Sequence, residues 1–270
     1  MTLTTPIKNF LRDSLIHFGA PIESLRIKEL PLRRILSFHD IPAHLEDVFA
    51  KKIDWLQKNY KIVSLTDLSE RNNLDQKRLN LAITFDDGFK EHFTFAQKML
   101  KCNNISATFF VPSGSLDLTG HKALEFAHNN LRRTRGTFEF MTRDELCELF
   151  HDPLFEIGGH TSHHMDLGTI HDEAILKNEI VDDKLHLEQL IGKKVRWFAY
   201  PFGNFSNISQ EAIHAIQDAG YIGAFTIVPS FWKKTDNHYL LGRDSLFLES
   251  SHSLWGSVFK GGYDTISRIK

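Results

Sequence analysis

The chain has 270 residues, a net charge of -2, 15 His and 2 Cys. Its length suits one large domain or two small ones, and 41% hydrophobic residues with 22 Phe supply a core, which excludes wholesale disorder. Near-neutral charge gives no general attraction to nucleic acid, and Cys102 with Cys147 cannot build a disulfide framework or a cysteine-rich zinc site, so the histidines direct attention to metal or proton-transfer chemistry.

The opening stretch, MTLTTPIKNFLRDSLIHFGAP, lacks the unbroken apolar run of a secretory signal and carries Lys8, Arg12 and Asp13 within it. No run approaches the ~18 apolar residues of a membrane span. The expected compartment is therefore the cytoplasm. Ile7, Phe10, Leu11, Leu15 and Phe18 recur at helical spacing, and Gly19 with Pro21 ends the pattern. Residues 1–30 are expected to form an amphipathic helical segment docked on the remainder, with peripheral membrane contact through residues 1–20 as the alternative. Residues 31–270 are expected to form a single domain.

Within that domain a strand is expected over Arg34–Phe38 and a helix over Leu45–Asn59. A strand over Leu79–Phe85 precedes a helix over Phe89–Lys101, which stops at Asn103-Asn104. A strand over Ile105–Val111 is stopped by Pro112. Residues 113–140, with Arg132, Arg133 and Arg135, read as an inserted polar excursion with one short helix. Thr142 and Glu145 form a capping box for a helix through Phe150. Phe155–Gly159 is a short strand. A long helix striped by Leu176, Ile180, Leu187, Leu190 and Ile191 follows it. Val195–Tyr200, Asn207–Ala219 and Gly223–Val228 read as strand, helix and strand, with Gly220 past the helix end. This alternation of hydrophobic strands and long helices indicates a parallel α/β fold.

In such folds chemistry gathers at the carboxyl ends of strands. Thr84-Phe85-Asp86-Asp87-Gly88 places two adjacent carboxylates after an apolar run, where they need solvent, a partner or a cation. An Asp-Asp-Gly turn with one Asp capping the next helix is the structural alternative. His160 and His164 are spaced i, i+4, so one helical turn would put both rings on one side as metal ligands. His163 would point elsewhere. The alternative is a His-rich surface turn. Tyr200, Pro201 and Phe202, with Gly203, form an aromatic strand end suited to a pocket wall. One carboxylate and two imidazoles complete a facial triad, leaving the second carboxylate free as a base.

These residues resemble the polysaccharide deacetylase superfamily (carbohydrate esterase family 4, NodB homology). The Thr-Phe-Asp-Asp-Gly motif is matched by Thr84–Gly88. The His-[Ser/Thr]-x-x-His motif is matched by His160, Thr161 and His164, and the aromatic-Pro-aromatic-Gly motif by Tyr200–Gly203. The resemblance covers roughly residues 33–245. It implies a distorted (β/α) barrel with an incomplete set of strand–helix units. It also implies removal of an N-acetyl group from a sugar, with Asp86 as base and Asp87, His160 and His164 as ligands of one divalent metal. Zinc is the first expectation; cobalt, nickel, manganese or iron also suit two His and one Asp. Tyr200, Pro201 and Phe202 are candidate substrate contacts. The expected partner is an acetylated sugar or glycan, in a polysaccharide, glycolipid or lipid-linked precursor.

Two departures from the family pattern stand out. Ala199 occupies the place where many members carry an Arg that orients the base, and no Leu-x-His motif follows near residue 270. Ile35–Asp40 resembles that missing motif, as in the circularly arranged poly-N-acetylglucosamine deacetylase branch, so His39 is the candidate general acid, with His238 and His252 as weaker alternatives. Arg243 is the candidate replacement for the missing Arg. Trp197 and Trp232 join Tyr200 and Phe202 as rings able to stack on a sugar, with core packing as the plainer alternative, and Phe247, Trp255 and Phe259 are expected to cover the core. Other readings are a hydrolase of another non-peptide C–N bond and a non-catalytic sugar-binding descendant. His164-x-Asp166 mimics an iron-oxygenase pair, but that chemistry wants a jelly roll.

Overall fold

The computed structural model describes residues 13, 14, 16, 17, 20, 30–134 and 136–267. Ile7, Phe10, Leu11, Leu15, Phe18 and Arg135 lie outside the described residues. The strands, in chain order, are β1 (Arg33–Phe38), β2 (Lys61–Ile62), β3 (Asn80–Phe85), β4 (Ala107–Val111), β5 (Phe155–Gly159), β6 (Trp197–Ala199), β7 (Gly223–Phe225) and β8 (Asp244–Ser245). They pair in the order β7-β6-β5-β4-β3-β1-β8, with β2 beside β3, and every pairing is parallel. All residues of β1, β3 and β4 are buried, as expected of strands covered on both faces.

The sheet curls until one segment touches both of its edges. The Leu241 N–H donates to the Ala224 carbonyl beside β7, and the Leu241 carbonyl accepts from Thr226. Three residues on, Asp244 pairs with Leu36 of β1. The result is a distorted (β/α) barrel. Neither β8 nor this closure is visible as a hydrophobic period, because so few residues are paired.

Helices α1 (Glu46–Asn59), α2 (Leu65–Glu70), α3 (Gln97–Cys102), α4 (Gly120–Asn129) and α5 (Arg143–His151) come first. They are followed by α6 (Glu173–Leu176), α7 (Asp183–Ile191), α8 (Gln210–Asp218), α9 (His252–Phe259) and α10 (Gly262–Ser267). The Thr142–Glu145 capping box opens α5 as expected. The helix expected over 89–101 begins instead as a π-helical turn, His92–Ala96. A second π turn, Lys177–Asp182, interrupts the long helix between α6 and α7. The strands expected over 195–200 and 223–228 are shorter: Pro201 has no N–H to donate, and the Thr226 N–H turns to Leu241.

An aromatic ladder fills the barrel wall under β1, β3 and β4. Phe38 stacks on Phe85 at 5.4 Å and Phe85 on Phe109 at 4.9 Å. Each such buried ring contributes about 2 kcal/mol. Trp255 and Phe259 join this core, and Trp197 and Trp232 are buried in a second cluster with Phe110 and Phe225. Phe247 departs from expectation: it is 71% exposed, because it lies on the loop after β8 rather than on a helix face. Below the sheet, Arg34 holds both Asp244 (2.6 Å) and Asp264 of α10 (2.7 Å). The described part of the N-terminal segment also docks here. Ile16 is buried, His17 reaches Ser257 at 2.7 Å, and a Cβ on Gly262 would fall 2.1 Å from the Ile16 carbonyl.

Candidate active site

The β3 strand ends at Phe85, and Asp86 and Asp87 follow where the chain turns. Asp87 adopts φ 75° and Gly88 φ 71°; a Cβ on Gly88 would meet Val111 Cγ1 at 3.0 Å. This kink turns the two carboxylates into different company. Both are buried.

Asp86 is gripped by Arg243, which stands on the closing segment one residue before β8. Its Nη1 and Nη2 donate to Asp86 Oδ1 and Oδ2, each at 2.7 Å. Nη1 also reaches Thr84 Oγ1 at 3.1 Å, and Nε donates to the Thr226 carbonyl at 3.2 Å. Burial disfavours ionisation of Asp86, but Arg243 outweighs it and holds the carboxyl below its ordinary value. His39 extends from the end of β1 with its Nε2 3.9 Å from Asp86 Oδ2. Its ring is 31% exposed, and its carbonyl is held by His92 Nε2 at 2.7 Å.

Asp87 faces the two histidines of the loop after β5. Its Oδ1 lies 3.5 Å from His160 Nε2 and 3.3 Å from His164 Nε2. Each ring is oriented from its far side: His160 Nδ1 donates to the Ala199 carbonyl at 2.7 Å, and His164 Nδ1 to the Asn130 carbonyl at 3.0 Å. With Nδ1 protonated, each Nε2 presents a lone pair toward Asp87. Asp87 Oδ1 is buried without a hydrogen-bond partner, and the three candidate ligand atoms lie within 4.8 Å of one another. An orphaned carboxylate oxygen beside two imidazole lone pairs is a donor set that fits a divalent cation.

The histidines do not sit on a helical turn. Thr161 and His164 both take left-handed backbone, φ 59° and 53°, and the rings meet edge to face with centroids 4.8 Å apart. The i, i+4 spacing therefore works through a strained turn, which sequence spacing alone does not distinguish from a helix. His163 points away, half-exposed and paired with Glu179. Asp166 is engaged by Arg132 and Asn207 instead of facing the triad.

The third motif divides. Phe202 packs edge-on against His164 at 4.7 Å and carries Arg132 over its ring at 3.9 Å. Tyr200 and Pro201 are buried, and the Tyr200 hydroxyl donates to the Tyr239 carbonyl. His238 packs on Trp232, whose N–H bonds the Arg33 carbonyl at the start of β1, the opposite end of the strand from His39. His252 stacks on Trp55. Neither reaches Asp86. Spacing alone also gave no sign of His92, or of Arg133, whose Nη2 lies 3.9 Å from Asp87 Oδ2 and 3.2 Å from Asp40. A cleft of about 420 Å³ is lined by His39, Asp40, Arg133, Leu246 and Phe247 among others; Asp86, Asp87, His160 and His164 do not line it. Among the described residues no helix is long and apolar enough to cross a membrane.

The sequence profile described as polysaccharide deacetylase matches residues 73–223. A Bacillus subtilis protein named as a polysaccharide deacetylase, YxkH, is 24% identical over 218 residues, covering 80% of this chain and 68% of its own. Among solved structures, the polysaccharide deacetylase BC0361 of Bacillus cereus aligns with a TM-score of 0.67 at 19% identity, over 84% of this chain and 69% of its own. IcaB of Ammonifex degensii aligns with a TM-score of 0.65 at 20% identity, over 86% of this chain and 97% of its own. At these identities the structural likeness establishes the shared fold.

Proposed function

The chain belongs to the polysaccharide deacetylase family, and from that premise we propose that it hydrolyses the N-acetyl group of a sugar unit in a polysaccharide, glycolipid or lipid-linked precursor. Asp87, His160 and His164 would hold one divalent cation, zinc foremost, which when bound supplies Lewis acidity toward the acetyl carbonyl and lowers the pKa of water. The observation that carries this reading is the unlike company of two adjacent buried carboxylates. Asp87 faces imidazole lone pairs with one oxygen unmatched, whereas Asp86 is held ionised by Arg243.

Asp86 is the general base. A carboxylate offers about four lone-pair sites, so the two bonds from Arg243 and one from Ser37 Oγ leave one to accept a proton from the attacking water. Arg243 fixes the plane of the carboxylate and keeps it charged. His39 is the general acid: its ring is part-exposed and lines the cleft, and its Nε2 stands 3.9 Å from Asp86 Oδ2, beyond direct hydrogen-bond reach. The exposed Phe247 offers a ring face to the sugar, and Phe202, one face covered by Arg132, lines the wall beside His164.

The test is acetate release from N-acetylated sugar oligomers by the purified chain. Asp86→Asn should abolish release and leave cation content near wild type. His160→Ala should lose both. Near-normal release by His39→Ala would remove that residue as the acid. Wild-type protein that binds a cation but frees amine from a non-sugar amide, and no acetate from sugars, would move the substrate to another C–N bond.

A further inference from the structure

The loop between the two histidines holds an unfavourable shape. Thr161 and His164 both occupy left-handed backbone, which residues other than glycine keep only when their surroundings hold them there. The restraints converge from outside the loop. Gly114 N–H donates to the Ser162 carbonyl at 2.9 Å, and Asn130 Nδ2 to the His163 carbonyl at 2.7 Å. Glu179 supplies three more. Its own carbonyl accepts from Ser162 N–H at 3.0 Å, its Oε2 from His163 N–H at 2.9 Å, and its Oε1 from His163 Nδ1 at 2.7 Å.

Glu179 owes this reach to the π turn Lys177–Asp182. Wider i to i+5 bonding takes this turn out of the ordinary α-helical ladder, and within it the Glu179 carbonyl accepts from the loop. The Glu179 carboxylate is 2% exposed, and its acceptors are spent on this loop. One turn later, Asp183 Oδ1 accepts from Ser113 N–H at 3.1 Å and so steadies the neighbouring strand end that carries Gly114.

We propose that Glu179 is a positioning residue for the cation site. Its carbonyl and carboxylate fix Ser162 and His163, so that His160 and His164 face Asp87 before a cation arrives. Glu179 touches neither the ligands nor the substrate; it acts through the backbone between the two histidines. The inference rests on the cation site proposed above.

The test uses the full chain stripped of metal. Co²⁺ affinity is measured by competition with a chromophoric chelator, and the visible absorption of the Co²⁺ form reports ligand geometry. Glu179→Met, which fills similar space without acceptors, should weaken Co²⁺ binding about 10–100-fold, the usual cost of losing a group that orients a ligand. Its absorption bands should shift. Glu179→Gln, which still accepts from His163 N–H, should stay within about threefold of wild type. His163→Ala should also stay close, because the two backbone bonds survive. Equal affinity and an unchanged spectrum in Glu179→Met would overturn the proposal. Should that variant fail to fold, amide hydrogen exchange on the metal-free wild type decides. Slow exchange at Ser162 and His163 is expected, and exchange as fast as an open loop would refute preorganisation. Wild-type protein that binds no Co²⁺ would remove the cation site and this inference with it, whereas binding with no effect of Glu179→Met sinks the inference alone.

Discussion

Arg243 meets both oxygens of Asp86 at 2.7 Å across 157 positions of sequence. Removing it would leave a buried carboxylate without its cation. Arg243→Met should therefore move the acid limb of the kcat/KM profile to higher pH, because burial alone raises a carboxyl. Urea unfolding should also show a loss of about 3 kcal/mol, the cost of orphaning one partner of a buried pair. Arg243→Lys keeps the charge without the paired geometry and should fall between the two. His92 supplies a second prediction. Burial lowers its pKa to about 4, below the ordinary value near 6.5. Its folded state favours the neutral ring, so its contribution is present above pH 6.5 and is lost as pH falls toward 4. From pH 7 to pH 5 this amounts to about 2 kcal/mol of unfolding free energy. A urea series at those two pH values checks the sign and the size, read as the difference in pH dependence between wild type and His92→Gln. That Asp87, His160 and His164 gather beside Asp86 was legible from residue type and from their places at strand ends. His92 was not, because nothing local marks a histidine that bonds a carbonyl 53 positions away.

The β5 strand shows how tightly element packing constrains sequence. A Cβ on Gly158 would come 2.3 Å from the Phe110 ring and 3.0 Å from the Trp197 carbonyl. Gly158→Ala should cost about 1–3 kcal/mol through overpacking, read as a fall in the midpoint of chemical unfolding. Its bounds and the α5 capping box were readable in advance, since both depend on residues within a few positions of one another. The π turns and the left-handed histidine loop were not. Their residues carry an ordinary helical stripe or spacing, and the departure is imposed by partners such as Asn130 and Gly114 on other elements. Edge strand β8 was equally hidden: two residues show no period, and only the curl of the sheet brings Asp244 to Leu36.

At the scale of the molecule, the parallel α/β character followed from the rhythm of strands and helices, whereas the closure of the barrel depends on chain geometry that no pattern records. Arg34 makes that closure durable, tying β1 to Asp244 and to Asp264 of α10 with both carboxylates within 2.7 Å. Asp264→Ala should lower stability by about 3 kcal/mol and loosen α10, detectable as faster amide exchange in residues 252–264. The closing segment has a further meaning in the order of synthesis. Every proposed cation ligand has left the ribosome before residue 165, while Arg243 emerges much later. A nascent chain can thus carry the complete ligand set while its base is still unheld. The proposed ligands come first, the Ala199 carbonyl that orients His160 follows, and the arginine that holds Asp86 arrives with the closing strand.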